Sequence, residues 1–133
     1  MGGFEAMSGR VIAGIGCRRN CSTEDILSVV GRASAQTGMA VNILAVPAFK
    51  SDETGLHEAA RRLGVPLILI DAAALLAVQE HCVTRSPRTE QAIGVASVAE
   101  GCALAAAGAG GRLLLARIAS RTATCALAEE PVA

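Results

Sequence analysis

The segment from Leu44 to Leu56 holds the only lysine of the chain and one of its two phenylalanines. Within it, Lys50-Ser51-Asp52-Glu53 sets an ammonium, a hydroxyl and two carboxylates in consecutive positions between two apolar stretches. Such a set can act as an acid/base pair, clamp a carboxylate, or form a surface ion pair. The plainer reading is a turn in which Asp52 or Glu53 caps a helix starting near Thr54 and Lys50 is solvated. Loops on a rigid scaffold carry much of binding chemistry. Lys50, Asp52 and Glu53 are therefore candidate ligand-binding residues, and Lys50 with Glu53 the candidate catalytic pair.

Two further stretches could meet a ligand. In Gly14-Ile15-Gly16-Cys17-Arg18-Arg19-Asn20-Cys21-Ser22 the glycines allow close backbone approach. A helix opening at Ser22 offers free N–H donors, and Arg18 and Arg19 add fork-shaped donors for carboxylate or phosphate. The spacing is that of neither a Rossmann fingerprint nor a P-loop, and a tight turn with solvated arginines stays open as the alternative. In Gly94-Val95-Ala96-Ser97-Val98-Ala99-Glu100-Gly101, Gly94, Ser97 and Glu100 form another glycine-to-helix turn. Here Glu100 reads first as the acid of a capping box. No histidine is placed to activate Ser97 as a nucleophile.

The five cysteines are irregularly spaced. Cys17 and Cys21 lack the second pair that structural zinc requires, so no metal is expected. Cys17, beside two arginines and near a helix N-terminus, has surroundings that favour a thiolate. Cys102 and Cys125 read as small hydrophobes, and His57 falls on a helix surface beside Glu58.

These candidates need elements to place them. Val11–Gly16 reads as a buried strand. Ser22 opens a helix, with Asp25 as a weak box acid; Ile26, Val29, Val30 and Ala33 share one face, and Gly38 stops it. Ala40–Val46 reads as the second strand. Leu56, Ala59, Ala60 and Leu63 repeat the helical spacing up to Gly64. Leu67–Ile70 is a short apolar strand, and Asp71 caps a helix reaching about Val78. The segment from His81 to Ala92 reads as loop, and the stretch from Arg88 to Ser97 as a possible wall of the cleft. A helix follows from Val98 to Ala107. Leu113–Ile118 and Thr122–Ala128 close the chain as a hairpin. Alternation of strands and helices predicts a three-layer α/β/α sandwich on a mixed, mostly parallel sheet of about five strands. In such sheets ligands sit beyond the carboxyl ends of the strands, where the loops Gly16–Cys21 and Pro47–Thr54 would meet if strands one and two are neighbours.

Length implies one domain, with residues 1–9 as lead-in, 10–128 as the domain and 129–133 as tail. Net charge is zero and aromatics make up 2% of the chain, so the basic stripe and stacking aromatics of a nucleic-acid binder are missing. No apolar run reaches the roughly 18 residues of a membrane span. The N-terminus lacks the pattern of a signal peptide, and the cysteines read as reduced thiols of a cytoplasmic protein.

Taken in order, Gly14–Arg19, the Lys50–Leu56 loop, Gly94–Leu104, Leu113–Arg117 and Thr122–Ala128 resemble the CobE / CbiG C-terminal-domain family of cobalamin biosynthesis, over about Arg10 to Ala128. The chain is similar to the stand-alone CobE form. The longer CbiG proteins carry an additional N-terminal portion and are linked to opening a precorrin lactone with loss of a two-carbon fragment. This chain has no room for that portion. The resemblance thus implies an accessory or carrier protein for a polycarboxylate corrin or precorrin, without a cofactor of its own, with a precorrin hydrolase as the alternative. Implied partners are the corrinoid and other cobalamin-pathway enzymes. Arg117 stands where the family is expected to favour lysine, which retains a cation.

Overall fold

In chain order the computed structural model, which describes residues 9–84 and 97–131, runs β1 (Val11–Cys17), α1 (Thr23–Thr37), β2 (Ile43–Pro47), a 3-10 turn (Ala48–Lys50), α2 (Thr54–Leu63), β3 (Leu67–Ile70) and α3 (Ala72–Ala77). A second 3-10 turn (Gln79–His81), α4 (Val98–Ala107), β4 (Arg112–Ala119) and β5 (Ala123–Glu129) complete it. The five strands form one sheet in the order β3-β2-β1-β5-β4. β1, β2 and β3 are parallel neighbours. β5 runs antiparallel to both β1 and β4, so the last two strands are the expected hairpin in a mixed sheet.

Helix ends follow local chemistry. Ser22 Oγ accepts from Asp25 N at 3.0 Å, and Gly38, at φ 69°, closes α1 in the left-handed conformation that glycine adopts without strain. Asp71 Oδ1 accepts from Ala74 N at 2.8 Å and opens α3. β2 begins at Ile43, later than the expected Ala40. Asn42 marks the boundary, because its side-chain oxygen accepts from Val11 N at 2.7 Å and locks the start of β1 to the entry of β2.

Alternate residues of each strand point to opposite faces, and each face has its own core. Val11, Ala13 and Ile15 join Leu44, Val46, Cys125 and Leu127 beneath α1 and α2. Ile12 joins Ile43, Ala45 and Ala128 beneath α3 and α4. The result is the expected three-layer α/β/α sandwich.

Gly14 sets the distance between two layers. A Cβ there would sit 2.0 Å from Ala99 O and 2.5 Å from Ala103 N, both backbone atoms of α4. Gly14→Ala is expected to cost about 3 kcal/mol through forced separation of helix and strand. Urea unfolding measures this; an unchanged midpoint would show that α4 has slack over β1.

The two acids read as capping-box partners both go elsewhere. Asp25 Oδ2 accepts from Thr122 N at 2.6 Å and Thr122 Oγ1 at 2.5 Å, tying the first turn of α1 to the β4–β5 turn. Glu100 is fully buried. Its carboxylate accepts from Val83 N and Thr84 N at 2.8 and 2.9 Å, and from Arg117 N at 2.9 Å. In both cases long-range donors outcompete the helix's own N-terminus. The serine half of each box does cap: Ser97 Oγ accepts from Glu100 N at 3.3 Å.

Candidate functional site: a cation-lined cleft

Parallel pairing of β1 with β2 and antiparallel pairing of β1 with β5 bring three segments to one end of the sheet. These are the carboxyl ends of β1 and β2 and the turn entering β5. With the start of α4 they surround a cleft of about 350 Å³. Gly16, Cys17 and Arg18 line it from β1, Pro47, Phe49 and Lys50 from β2 and its 3-10 turn, and Val98 from α4. Arg117 and the segment Ala119–Thr124 supply the hairpin wall.

Four of the lining side chains are cationic, Arg18, Lys50, Arg117 and Arg121, and none of the lining residues is acidic. Among the described residues the basic partners of ion pairs are Arg10, Arg61, Arg62, His81 and Arg112, so the four cleft cations are left without a carboxylate partner. Each is carried on a fixed backbone. Arg18 N donates to Thr122 O at 2.9 Å, stitching the β1 exit to the hairpin turn. Lys50 ends a 3-10 turn closed by Ser51 N donating to Ala48 O at 3.1 Å. Arg117 is held through its N–H by Glu100, and Arg121 precedes the Thr122 that Asp25 clasps.

The two clasping acids are held ionised. The Thr122 side-chain hydrogen bond, foremost, keeps the Asp25 carboxyl below its ordinary range. Burial by itself would raise the Glu100 carboxyl. The hydrogen bonds from Arg117, Thr84 and Val83 together outweigh it and leave the group below its ordinary value.

Phe49 and Lys50 also line a neighbouring hollow of about 670 Å³, walled by Arg19, Asn20, Cys21, Asp52, Glu53 and Thr54. Its charge is mixed. Glu53 occupies the N-cap position of α2 but makes no side-chain cap. Instead Glu53 Oε1 accepts from Asn20 N at 2.9 Å, where Asn20 turns the chain at φ 61°. The first two loops thus meet, and Glu53 fastens one to the other. His57 Nε2 lies 2.7 Å from Ser51 O and steadies the same loop.

The candidates divide accordingly. Gly16, Cys17, Arg18 and Lys50 line the cleft; Arg19, Asp52 and Glu53 line the adjoining hollow. Gly14 lies under α4. Ser97 and Glu100, 1% and 0% exposed, are engaged inside the protein. They support the wall of the cleft, and direct ligand contact from either is at odds with that burial. Gly94 and most of the stretch from Arg88 to Ser97 lie outside the described residues. The surroundings of Cys17 run against the expected thiolate. Burial first, then a hydrogen bond with Cys21, pushes its thiol up to about 12, and the nearby Lys50 offsets only part of that.

The hairpin's contribution through Arg121 had no local signal. A lone arginine in a tight turn carries no motif, and only the antiparallel seating of β5 beside β1 brings it to the cleft. Among the described residues no group of three or more His, Cys, Asp or Glu is placed to hold a metal, and no helix is long and apolar enough to cross a membrane.

The domain is a mixed-sheet α/β/α sandwich with four cationic residues lining a cleft at the strand carboxyl ends. The chain belongs to the cobalamin synthesis G C-terminus family, whose model matches residues 11–128, and is thereby a cobalamin biosynthesis protein of the CobE/CbiG C-terminal kind. It is 33% identical over 121 residues to Protein CobE of Sinorhizobium sp., covering 89% of this chain and 79% of that protein. The crystal structure of CobE, a protein from the cobalamin (vitamin B12) biosynthetic pathway, superposes with a TM-score of 0.87 at 33% identity, over 94% of this chain and 93% of that one. Cobalamin biosynthesis protein chiG from Agrobacterium tumefaciens str. C58 superposes with a TM-score of 0.74 at 37% identity, over 90% and 98% of the two chains. A cobalamin biosynthesis protein G homologue from Sulfolobus solfataricus shares the fold, with a TM-score of 0.64 at 23% identity over 91% of this chain and 36% of that one.

Proposed function

We propose that the protein binds a polycarboxylate corrin or precorrin intermediate in the cationic cleft, as an accessory or carrier protein of cobalamin biosynthesis. One observation carries this reading: Arg18, Lys50, Arg117 and Arg121 converge on one cleft with no acidic residue in its lining. Like charges gathered on low-dielectric walls raise the local potential and draw in anions. Arginine forks take carboxylates with two parallel hydrogen bonds, and lysine takes one as a point charge. A corrin ring bears carboxylate arms around its rim, so spaced cations suit it better than one deep anion hole would.

Size is consistent with a pose in which only part of the rim enters the cleft. The 350 Å³ cleft lies at the small end of ligand sites, which run to about 1,000 Å³. The hollow beyond the Phe49–Lys50 ridge extends the available surface on the same side. A macrocycle would seat its carboxylate arms in the cleft and lay its body across the ridge.

The test is titration with hydrogenobyrinic acid, read by visible absorbance, where the protein itself does not absorb, and by calorimetry. Saturable binding is expected, weakening several-fold between low salt and about 0.5 M salt as the cleft cations are screened. Binding that ignores salt would remove the cationic cleft from the account. Two-carbon release from a precorrin by this chain would assign it the hydrolase role instead.

A further inference from the structure

Phe49 is 60% exposed. It is the only phenylalanine among the described residues, in a chain with no Trp or Tyr. Exposed apolar residues scattered over a surface need no explanation, but this one is not scattered. Phe49 lines both the cationic cleft and the mixed-charge hollow, so it stands on the ridge between them beside Lys50. Its backbone is held in place. Pro47 is buried at the end of β2, Ser51 N donates to Ala48 O at 3.1 Å, and Glu53 N donates to Lys50 O at 3.1 Å. Two successive turns therefore brace the segment that carries the ring.

We propose that Phe49 is a stacking platform for a flat conjugated macrocycle whose rim carboxylates are held by Arg18, Lys50, Arg117 and Arg121. This deepens the proposed function and rests on it. The cations alone select for charge. They would accept an acyclic tricarboxylate as readily as a ring of equal charge. A phenyl face adds selection for a planar, apolar, polarisable body, because offset stacking and covered apolar area are gained only by such a ligand. The order along the chain serves this. Adjacent residues present the face and the ammonium, so a ring lying on Phe49 brings a rim carboxylate toward Lys50.

The test compares the protein with Phe49→Ala and Phe49→Tyr, using three probes: hydrogenobyrinic acid, benzenehexacarboxylate and acyclic tricarballylate. Phe49 is exposed, so both variants should keep the parent melting temperature. Phe49→Ala is expected to weaken hydrogenobyrinic acid binding about tenfold, the scale of one lost aromatic stack. It should also abolish the ligand's visible band shift and leave tricarballylate affinity unchanged, whereas Phe49→Tyr retains affinity and band shift. Benzenehexacarboxylate, highly charged but with crowded carboxylates twisted out of the ring plane, should follow tricarballylate and keep its affinity in Phe49→Ala. Equal corrinoid affinity and an identical band shift in Phe49→Ala would overturn the platform while leaving the anion cleft standing. No binding of any probe by the parent protein would overturn the anion cleft itself, and the platform with it.

Discussion

Replacing Glu100 with alanine is expected to destabilise the fold by about 3 kcal/mol, the scale of backbone donors left without their acceptor. The carboxylate accepts from Val83 N, Thr84 N and Arg117 N, and the side chain is fully buried. Alanine leaves these donors without their acceptor, and an unsatisfied buried polar group costs about 1–3 kcal/mol. Glu100→Gln should fall between, because its oxygen can still accept while its NH2 faces a donor. Chemical denaturation with both variants measures the effect. A loss below about 1 kcal/mol in Glu100→Ala would mean that water or a shifted loop replaces the carboxylate.

The same residue sets a pH dependence. Its folded-state pKa lies below the ordinary carboxyl value of 4.5. A depressed pKa contributes stability that is fully present above the unfolded value and is lost as pH falls through the folded one. The melting temperature should therefore start to drop below about pH 4.5, with Asp25 contributing in the same direction. Glu100→Gln should show a shallower acid slope than the parent protein.

The second large effect concerns binding. Lys50→Ala and Arg117→Ala are each expected to weaken hydrogenobyrinic acid binding about tenfold, the scale of one charge-assisted hydrogen bond of about 1.5 kcal/mol. The double variant should lose about a hundredfold if the two cations hold separate carboxylates, since independent sites add. Neither side chain makes an ion pair among the described residues, so neither change leaves a stranded carboxylate, and stability should stay near that of the parent. Calorimetry on the three variants decides it. Unchanged affinity in both single variants would place the ligand elsewhere.

The architecture was legible in the sequence because its signals are local and repeated. Apolar runs marked the strands, Ser22 and Asp71 marked helix starts, and Gly38 and Gly64 marked ends. Half of the cleft was legible for the same reason. Arg18 and Lys50 lie in loops that leave strand carboxyl ends, and parallel neighbours bring such loops together. The rest depends on contacts between residues far apart in the chain. Asp25 and Glu100 carry capping-box spacing, yet their carboxylates serve Thr122, Val83, Thr84 and Arg117. Cys17 beside two arginines looked like a thiolate, but burial and Cys21 push its thiol up. Gly14 looked like a glycine for ligand approach, whereas α4 occupies the space over it. Arg121 needed the strand order before it could be placed at all.

A crystal structure of the protein with hydrogenobyrinic acid tests the central claim most directly. The account predicts ring carboxylates within about 3 Å of at least two of Arg18, Lys50, Arg117 and Arg121. The more apolar groove of about 730 Å³ between α3, α4 and the start of β4 is roomier and lies on another part of the surface. A macrocycle seated there, with the four cations free, would contradict the account.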